Sequence, residues 1–567
     1  MTRTAKALRA VLLSALSPFA VHAAGPVAPA PGTPIAPGAG TILQELKPLE
    51  APAPSQNQPG LQIEQHGEET LPATATFLVK AIHISGNSSF DTAKLHTLVA
   101  EAEGKDLTLP ELYDRAIRIS DFYHTHGYPL ARAIIPAQTI RDGVVNIEVI
   151  EARYGKILLE NHSPVSDGLL RATLAPLESG HVIGQADLDH VLLLLADIPG
   201  ALTGATLKPG EVVGASDLLV QAAPGPAVAG NVTLDNYGNR YTGSARAGGE
   251  VALNDPLHHG DVLDASVLTS GKDMNYGRLS YDSVLSGQGT HLGASYSALH
   301  YILGDSLESL EGHGSAQVES LWAKQPLVRT RDLNLYGQLQ FDRKQLRDDI
   351  DVSSIHTDRH LYDWIASLSG DLRDAMLSGG ITTWTLGVTS GRVGFDDATA
   401  QQPDAATART RGPFSQWDAS FARLQRVTPQ DALYVTLSGQ WASVNLDPSQ
   451  KMVAGGAYTV RAYDMSALAG DIGVQASAEL RHDLARSWHG QWQALAFFDA
   501  ERVRVDKSPW TSGENEATLS GAGLGLNWTG PHQFSAKTYI AARLGSTPAL
   551  VGDSPAFRAW LQINKHF

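Results

Sequence analysis

The pattern of apolar and polar residues changes along the chain, and its carboxyl-terminal part is dominated by strict alternation. From about Asn231 to Phe567, apolar and polar residues alternate over stretches of about 9–11 residues that are separated by turn residues. In segment 333–341, three leucines, a glycine and a phenylalanine share one face, while asparagine, tyrosine and two glutamines share the other. Segments 433–441 and 291–298 alternate in the same way. A period of two predicts β-strands with one apolar and one polar face.

Strands of this length and alternation are typical of outer-membrane β-barrels, in which apolar side chains face lipid and polar side chains face the lumen. A soluble sandwich would also alternate, but with bulkier apolar faces and shorter strands. Division of about 337 residues by about 20 residues per strand and connection predicts about 16 antiparallel strands. The last segment, 557–567, alternates and ends on a phenylalanine. We therefore predict a membrane β-barrel over residues 224–567.

Two units of mixed α/β pattern precede the barrel, and each reads β-α-α-β-β. The first, 76–152, has a strand, two helices and two strands near Phe77–Ile84, Phe90–Ala102, Leu109–His126, Ala131–Ile135 and Val144–Ile150. The second, 153–223, repeats this order near Tyr154–Glu160, Leu169–Leu174, Ala186–Ala196, Ala205–Lys208 and Asp217–Ala222. Such a unit leaves a strand edge beside a helix, where an extended peptide can add as a further strand. A pair of spacer domains is the alternative.

The first 75 residues do not have the pattern of a folded domain. Residues 1–23 have a basic start, an apolar stretch and a small-residue cleavage site, which predicts a secretory signal peptide. Residues 24–75 are rich in proline, alanine and glycine, which predicts an extended and unpacked linker. Inside it, Ile42, Leu43 and Leu46 have the spacing of a short amphipathic helix. That helix needs a surface to bind, because an isolated helix of this length is unstable in water.

Composition and charge exclude several classes of protein. The chain has no cysteine, which excludes a disulfide framework, cysteine-ligated zinc, an iron–sulfur cluster and a thiol nucleophile. With 43 basic and 59 acidic residues, a net charge of −16 and no basic block, nucleic acid is not an expected partner. Neither an H-E-x-x-H motif nor a G-x-S-x-G motif between a strand and a helix occurs. We expect no enzymatic activity, no metal site and no cofactor.

Several short motifs, in this order, resemble the outer-membrane transporters of two-partner secretion. This is the TpsB family of ShlB, FhaC and HecB, within the BamA/TpsB superfamily. Gly127-Tyr128-Pro129 and segment 135–140 are similar to the family's POTRA domain. Segment 234–243 is similar to its first barrel strand, and segment 254–261 to the turn that follows that strand. The resemblance covers nearly all of the chain after residue 23. It implies two periplasmic POTRA domains, a barrel in the outer membrane, and a plug helix around residues 40–47.

The resemblance also implies a pair of interacting residues inside the barrel. Val460-Arg461-Ala462-Tyr463 lies in a long connection between two strands and resembles the V-R-G-Y tip of the loop that folds back into the family's pore. Asp499 lies in a segment similar to the family's F-x-D-x-G strand motif. The family implies that Arg461 pairs with Asp499, and an arginine–carboxylate pair in a confined lumen can be bidentate. An exposed arginine without a fixed partner is the alternative.

The chain departs from both motifs, because Ala462 and Glu501 stand where the family usually has glycine. If position 462 required a positive φ, an alanine there would be strained, which would put the geometry of the loop tip in doubt.

The resemblance implies that the protein recognises an unfolded partner exoprotein through its POTRA domains and exports it through the pore without ATP. The implied partner is a large haemolysin, adhesin or haemagglutinin with an amino-terminal two-partner secretion domain. Outer-membrane lipid and the barrel assembly machinery are further expected partners, and we expect a monomer. An assembly factor of the BamA or TamA type, a diffusion porin and a barrel hydrolase are alternatives. Assembly factors carry three to five POTRA units where two fit here, and a porin would leave about 150 residues without a role.

Overall fold

The chain forms a closed β-barrel, two small α/β domains and a short helix inside the barrel. The computed structural model describes residues 36–46, 54–58, 60–63, 76–484, 486–487, 489–552 and 554–567. The predicted signal peptide and parts of the predicted linker lie outside the described residues. Among those described, no helix is both long enough and apolar enough to cross a membrane. The first two elements are α1 (Ala39–Glu45) and β1 (Leu61–Ile63).

The first α/β domain builds two small sheets and three helical segments around one apolar core. Its elements are β2 (Thr76–Val79), β3 (Ala81–Ser85), α2 (Thr92–Thr97), a 3₁₀ turn (Ala100–Ala102), β4 (Lys105–Thr108), α3 (Leu109–Thr125), β5 (Arg132–Ile134) and β6 (Val144–Ile150). Strands β3, β6 and β5 form the main sheet in that order, and β2 pairs with β4. Helix α3 begins with a capping box between Thr108 and Glu111, and it buries Leu112, Ala116, Ile119 and Tyr123 completely.

Two details of the first domain differ from the sequence prediction. The single strand predicted over 77–84 is divided at Lys80, because the amides of Lys80 and Ala81 both donate to the carbonyl of Gly143. Strand β2 can therefore pair with β4 instead of continuing β3. The helix predicted over 90–102 is a short α-helix followed by a 3₁₀ turn, and its start is fixed by Asp91, whose carboxylate accepts from the amide of Ala93.

The second α/β domain repeats the same order and adds one strand from the linker. Its elements are β7 (Arg153–Asn161), α4 (Asp167–Leu174), α5 (Gln185–Ala196), β8 (Ala201–Pro209) and β9 (Ala215–Pro224). The sheet order is β1-β8-β9-β7, and β1 pairs with β8 in parallel, with Leu61 opposite Ala205. Leu61 also packs against the core of this domain. The prediction of an unpacked linker is therefore wrong at residues 61–63. Leu61 packs against an apolar core, and the backbone of β1 pairs with the open edge of β8.

Sixteen antiparallel strands close into the barrel, which confirms the predicted fold class. These are β10 (Val228–Asp235), β11 (Arg246–Asn254), β12 (Asp261–Thr269), β13 (Met274–Val284), β14 (His291–Ile302), β15 (Gly312–Arg329), β16 (Leu333–Ile350), β17 (Ile355–Asp374), β18 (Gly380–Phe395), β19 (Gly412–Arg426), β20 (Asp431–Ala442), β23 (Ile472–Asp483), β24 (Gln491–Arg504), β25 (Glu516–Thr529), β26 (Phe534–Arg543) and β27 (Phe557–His566). The connections hold the short strands β21 (Met452–Ala454) and β22 (Leu468–Gly470), the helix α6 (Ala398–Ala406) and 3₁₀ turns at Asp305–Leu310, Asp351–Ser353, Pro448–Gln450 and Pro531–Gln533. Closure is made between β10 and β27.

The second α/β domain is attached to one end of the barrel, which we call the domain-side mouth. The guanidinium of Arg329, at the end of β15, donates to both carboxylate oxygens of Asp197 at 2.7 and 2.8 Å. Arg331 donates to Asp189 at 2.6 Å, and the amide of Ser166 donates to the carbonyl of His258 at 3.0 Å. Because the Arg329 side chain is fully buried, this ion pair is a firm contact between domain and barrel.

Candidate functional site: a plugged lumen and a pinned loop

The long connection between β20 and β23, residues 443–471, folds back into the barrel and is called the pore loop here. Its tip packs against lumenal side chains of the last strands in one buried apolar cluster, which includes Ala454, Val460, Ala462, Tyr463, Leu495, Phe497, Val503 and Leu519. Leu495 and Phe497 lie on the lumenal face of β24 with Asp499. Apolar residues in this lumen therefore provide the packing surface for the loop tip.

Arg461 at the tip of the pore loop is bound to Asp499 on β24 by a two-pronged contact. Its Nε donates to Oδ2 at 2.9 Å and its Nη2 to Oδ1 at 2.7 Å. The backbone amide of Arg461 donates to the same carboxylate at 3.2 Å. Asp499 is completely buried and also accepts from the hydroxyl of Ser477 at 2.7 Å. The structure thus brings together the two residues that the family resemblance paired.

Further contacts hold Arg461, and none of them was predicted from the sequence. Nη1 donates to Glu479 on β23 at 2.6 Å, and the guanidinium lies 3.5 Å from the centre of the Phe497 ring. The indole nitrogen of Trp560, on the last strand, donates to the carbonyl of Arg461 at 2.7 Å. The alternation of the sequence places Ser477, Glu479 and Arg481 on one face of a strand, which was the only indication of these contacts. In the structure, Ser477 is directly opposite Asp499.

The departure from the family motif at position 462 is accommodated without backbone strain, and the departure at position 501 is a buried side chain. Ala462 is not among the residues with positive φ, so the condition for a strained alanine is not met. Its methyl group instead packs against Gly521 of β25, where a Cβ atom would come within 2.4 Å of it. Glu501 is 1 % exposed and lies beneath the loop, near Gly455 and Thr459.

Helix α1 lies inside the barrel and packs its apolar residues against lumenal side chains. Ile42 is completely buried, Leu43 is nearly so, and Leu46 is half-buried against the same cluster. The cluster around them combines lumenal side chains of the barrel, among them Tyr241, Leu299, Tyr301, Leu346, Leu361 and Phe414. This surface is what the predicted amphipathic helix needs in order to be stable.

The polar contacts of α1 are single hydrogen bonds to the wall and to the pore loop. The amide of Ala39 donates to Asp348 at 2.7 Å, and Asn239 donates to Glu45 at 2.8 Å. Gln44 donates to the carbonyl of Ser449, at the base of the pore loop. At Gly40, a Cβ atom would lie 2.5 Å from the Ser449 amide, so the helix approaches the loop more closely than a larger residue would allow.

An ion network ties the base of the pore loop to the wall beside α1. Arg359 on β17 donates to Asp447 at 3.0 Å and also pairs with Asp348, which accepts from the Tyr301 hydroxyl at 2.6 Å. Lys344 pairs with Asp363 at 2.8 Å, and Asp363 accepts from Gln450 at 2.7 Å. The buried charges of this lumen therefore position a loop and a helix, and Asp348 contacts both systems.

The described residues contain no group of three or more histidines, aspartates and glutamates that could hold a metal ion. Carboxylates at the tip and base of the loop are engaged with arginine, lysine or amide donors. Charged side chains in this arrangement hold the pore loop and helix α1 against the barrel wall through charge-assisted hydrogen bonds.

A closed 16-stranded barrel that contains a helix and a folded-in loop, preceded by two β-α-α-β-β domains, defines the class of POTRA-bearing outer-membrane barrels. The family described as "Haemolysin secretion/activation protein ShlB/FhaC/HecB" matches residues 214–528, and a POTRA domain of the ShlB type matches residues 77–152. The chain belongs to this family of two-partner secretion transporters. It is an outer-membrane protein whose POTRA domains, the first and second α/β domains, are periplasmic, so the domain-side mouth faces the periplasm.

The chain is similar to known transporters in sequence and to two solved structures in fold. The chain is 25 % identical over 486 residues to the heme/hemopexin transporter protein HuxB of Haemophilus influenzae strain 86-028NP, covering 85 % of each chain. It is 24 % identical over 478 residues to the outer membrane transporter CdiB of Escherichia coli O6:K15:H31, covering 80 % of this chain and 77 % of that one. The solved structure of CdiB from Escherichia coli has a similar fold, with a TM-score of 0.68, 20 % identity and coverage of 94 % and 96 %. BamA from Haemophilus ducreyi lacking POTRA domains 1–3 has a TM-score of 0.53 at 14 % identity, covering 87 % of this chain and 100 % of that one.

Proposed function

We propose that this protein exports an unfolded partner exoprotein, of the haemolysin, adhesin or haemagglutinin type, through its barrel. The observation that carries the proposal is the position of α1: a helix of 7 residues lies in the lumen and belongs to a segment that also reaches the second POTRA domain through β1. A pore closed by a segment of this kind opens when the segment leaves. A diffusion porin has no use for such a closure.

The first POTRA domain is the proposed entry point for the partner, because its edge is closed less firmly than that of the second. Strand β5 pairs only with β6 among the described residues. Its outer edge is covered by two side chains of α3: Ser120 accepts from the amide of Ala133, and His124 Nε2 bonds to the carbonyl of Ala131, at 2.9 Å in each case. The corresponding strand of the second domain, β8, is paired with the backbone of β1. An added strand must displace two side-chain bonds in the first domain and a whole strand in the second.

The proposed transport cycle uses no nucleotide. The amino-terminal secretion domain of the partner adds to a POTRA edge, α1 leaves the lumen, and the unfolded chain passes through. Folding of the partner at the cell surface then makes its return unfavourable. The pore loop stays in place throughout, because Arg461 is bound to two buried carboxylates.

The same proposal assigns the parts of the chain. Residues 1–23 are the signal peptide, 24–75 the linker with the plug helix, 76–152 and 153–223 the two POTRA domains, and 224–567 the barrel. The protein acts as a monomer, since one chain closes the whole barrel. It is inserted into outer-membrane lipid by the barrel assembly machinery. The proposal involves no cofactor and no nucleic acid.

A secretion assay tests this proposal. The chain is expressed in a Gram-negative host together with the amino-terminal fragment of the large exoprotein encoded beside it, and the fragment is quantified in the medium. Export that depends on this chain is the expected result. Fragment retained in the periplasm beside a correctly inserted barrel, for every exoprotein encoded with it, would contradict the proposal and favour an assembly factor.

A further inference from the structure

A single residue of the linker, Ser55, is gripped at the domain-side mouth of the barrel. Asp371, near the end of β17, accepts from the amide of Ser55 at 3.2 Å and from its hydroxyl at 2.7 Å. Arg373, two residues further on, donates to the carbonyl of Ser55. The hydroxyl of Tyr336 on β16 lies 3.1 Å from the Ser55 hydroxyl. One carboxylate, one guanidinium and one phenol therefore surround one residue.

Most of this grip acts on the main chain. Asp371 and Arg373 bind the amide and the carbonyl of Ser55, which every residue except proline presents, and only the hydroxyl contacts are specific to serine or threonine. A carboxylate facing an N–H group and a guanidinium facing a C=O group match the two ends of the peptide dipole, and both bonds are strengthened by charge. The site therefore has the chemistry to bind an extended polypeptide with little regard for its sequence.

The grip is built into the wall and does not depend on the linker for its shape. Asp371 is 2 % exposed, and its other oxygen accepts from Arg373 at 2.8 Å and from Asn334 at 3.1 Å. Asn334 is completely buried and in turn accepts from Arg329, the residue that binds Asp197 of the second POTRA domain. The carboxylate is thus held in place by barrel residues and by the docking of that domain.

Space for a chain exists beside the grip. A cavity of about 290 Å³ lies between the second POTRA domain and the barrel wall, and Ser55, Asp371 and Tyr336 line it together with Asp197 and Ile198 of that domain. The linker runs from β1 on the second POTRA domain to Ser55 at the mouth, and from there to α1 in the lumen. We expect a polypeptide that passes from the POTRA domains into the barrel to follow the same route.

We propose that Asp371, Arg373 and Tyr336 form a backbone clamp for the polypeptide in transit, occupied by Ser55 in the closed state and by the exported chain once the linker has left. This inference rests on the proposed function and adds a binding site to it. The ligand class is an extended, unfolded polypeptide that presents a free amide and carbonyl. Prolines at positions 54 and 59 of the linker cannot supply the amide, whereas Ser55 can.

Single-cysteine cross-linking tests the clamp, because the chain has no cysteine of its own. Ser369→Cys places a thiol on the lumenal face beside the clamp, and Leu368→Cys places one on the opposite face of the same strand as the matched control. Thr436→Cys reports from a separate lumenal cavity. The probe is an amino-terminal exoprotein fragment with cysteines at successive positions, stopped in transit by a folded domain fused to its carboxyl end.

The clamp predicts disulfides between the fragment and Ser369→Cys and none with Leu368→Cys. Arg373→Gln in the Ser369→Cys background removes the positive charge of the group that donates to the bound carbonyl. We expect the disulfide yield at Ser369→Cys to fall about fivefold or more, while the disulfide yield at Thr436→Cys is retained. Tyr336→Phe removes only the hydroxyl contact, and we expect a smaller decrease.

Two results would overturn the clamp while leaving the proposed function intact. One is a fragment that cross-links to Thr436→Cys but never to Ser369→Cys, which would mean that the chain enters by another path. The other is a yield at Ser369→Cys that Arg373→Gln leaves unchanged, which would mean passage without binding. Absence of export for the unfused fragment would instead contradict the proposed function itself.

Discussion

The pore loop and the plug helix occupy the same lumen, but they are attached to it by different kinds of contact. The loop is joined to the barrel at both ends, and Arg461 at its tip is bound to two buried carboxylates and stacked on Phe497. Helix α1 has 7 residues, an apolar seat and single hydrogen bonds to Asp348, Asn239 and Ser449.

The difference indicates which part stays and which part leaves. Separating Arg461 from Asp499 and Glu479 leaves unpaired charges in a buried site, at a cost of about 3–5 kcal/mol. In the proposed cycle, the plug leaves an apolar site and breaks single hydrogen bonds, and β1 of the same segment lies on the periplasmic side. Under this proposal the lumen combines a fixed element with a removable one.

Removal of the fixed contact has the largest expected effect. Arg461→Ala leaves the buried Asp499 without a cation and removes one of the two arginines that pair with Glu479. We therefore expect the loop tip to leave its position and export to fall by about tenfold or more. The amount of exported fragment in the medium measures this, and the heat-modifiable migration of the barrel on gels checks that it is still assembled.

Arg461→Lys is the matched control for charge. Lysine keeps the positive charge but cannot make the two-pronged bond, so we expect intermediate export. Wild-type export in Arg461→Ala would contradict the assigned role of the pinned loop.

Loosening the removable element is expected to open the pore. Ile42→Asp places a charge in the apolar seat of α1, where the wild-type side chain is completely buried, and removal of such a residue costs about 2–5 kcal/mol. We expect a higher single-channel conductance in planar bilayers. Ile42→Val, which costs about 1 kcal/mol, should stay closed. Equal conductance in the two variants would show that α1 does not close the pore.

Release of the linker strand tests the periplasmic end of the same removable segment. Leu61→Asp should detach β1 from β8, because Leu61 packs in the core of the second POTRA domain. The amide of Ala205, which donates to the carbonyl of Gly60 at 3.2 Å, should then exchange its hydrogen faster. Gln62→Asp places the same charge on the exposed neighbour and should leave exchange unchanged. Protection of Ala205 in both variants would mean that β1 does not cover this edge.

The smallest effect is expected at Glu151, a buried carboxylate at the end of the first POTRA domain that accepts hydrogen bonds from three residues of the same domain. Burial alone would raise the pKa of Glu151, but hydrogen bonds from Ser88, Ser89 and Tyr123 outweigh it and lower the pKa to about 2. Because the folded value is below the unfolded value of about 4.3, this stabilisation is present above about pH 4.3 and is lost as the pH falls towards 2.

Glu151→Gln should remove that part of the pH dependence. The measurement is the free energy of unfolding of the full chain's periplasmic region, followed between pH 5 and pH 2.5 by hydrogen exchange in the detergent-solubilised protein. A wild-type pH profile in Glu151→Gln would show that the stability of the first POTRA domain does not depend on this carboxylate.

The parts predictable from sequence are those that have a period or a motif. Alternation revealed the barrel, helical spacing revealed α3 and α1, and the family motifs identified Arg461 and Asp499. What the sequence did not reveal are contacts between distant segments without a pattern, such as Ser55 with Asp371 or Leu61 with Ala205. A three-residue strand has no measurable period, and a single serine in a proline-rich linker has no distinguishing neighbour. Glu479 was missed because an inward-facing glutamate is unremarkable in a polar lumen.

In the proposed cycle, the plug must leave the lumen before the partner can pass. In the cysteine-free chain, Gln44→Cys and Ser449→Cys place two thiols where the plug touches the base of the pore loop, and a short reducible bifunctional reagent can join them. Export of the exoprotein fragment is measured with the cross-link formed, after its reduction, and in the same variant without reagent. We expect no export while the plug is joined to the loop, and restored export after the cross-link is reduced. Undiminished export through a barrel whose plug is cross-linked in place would contradict the proposed cycle.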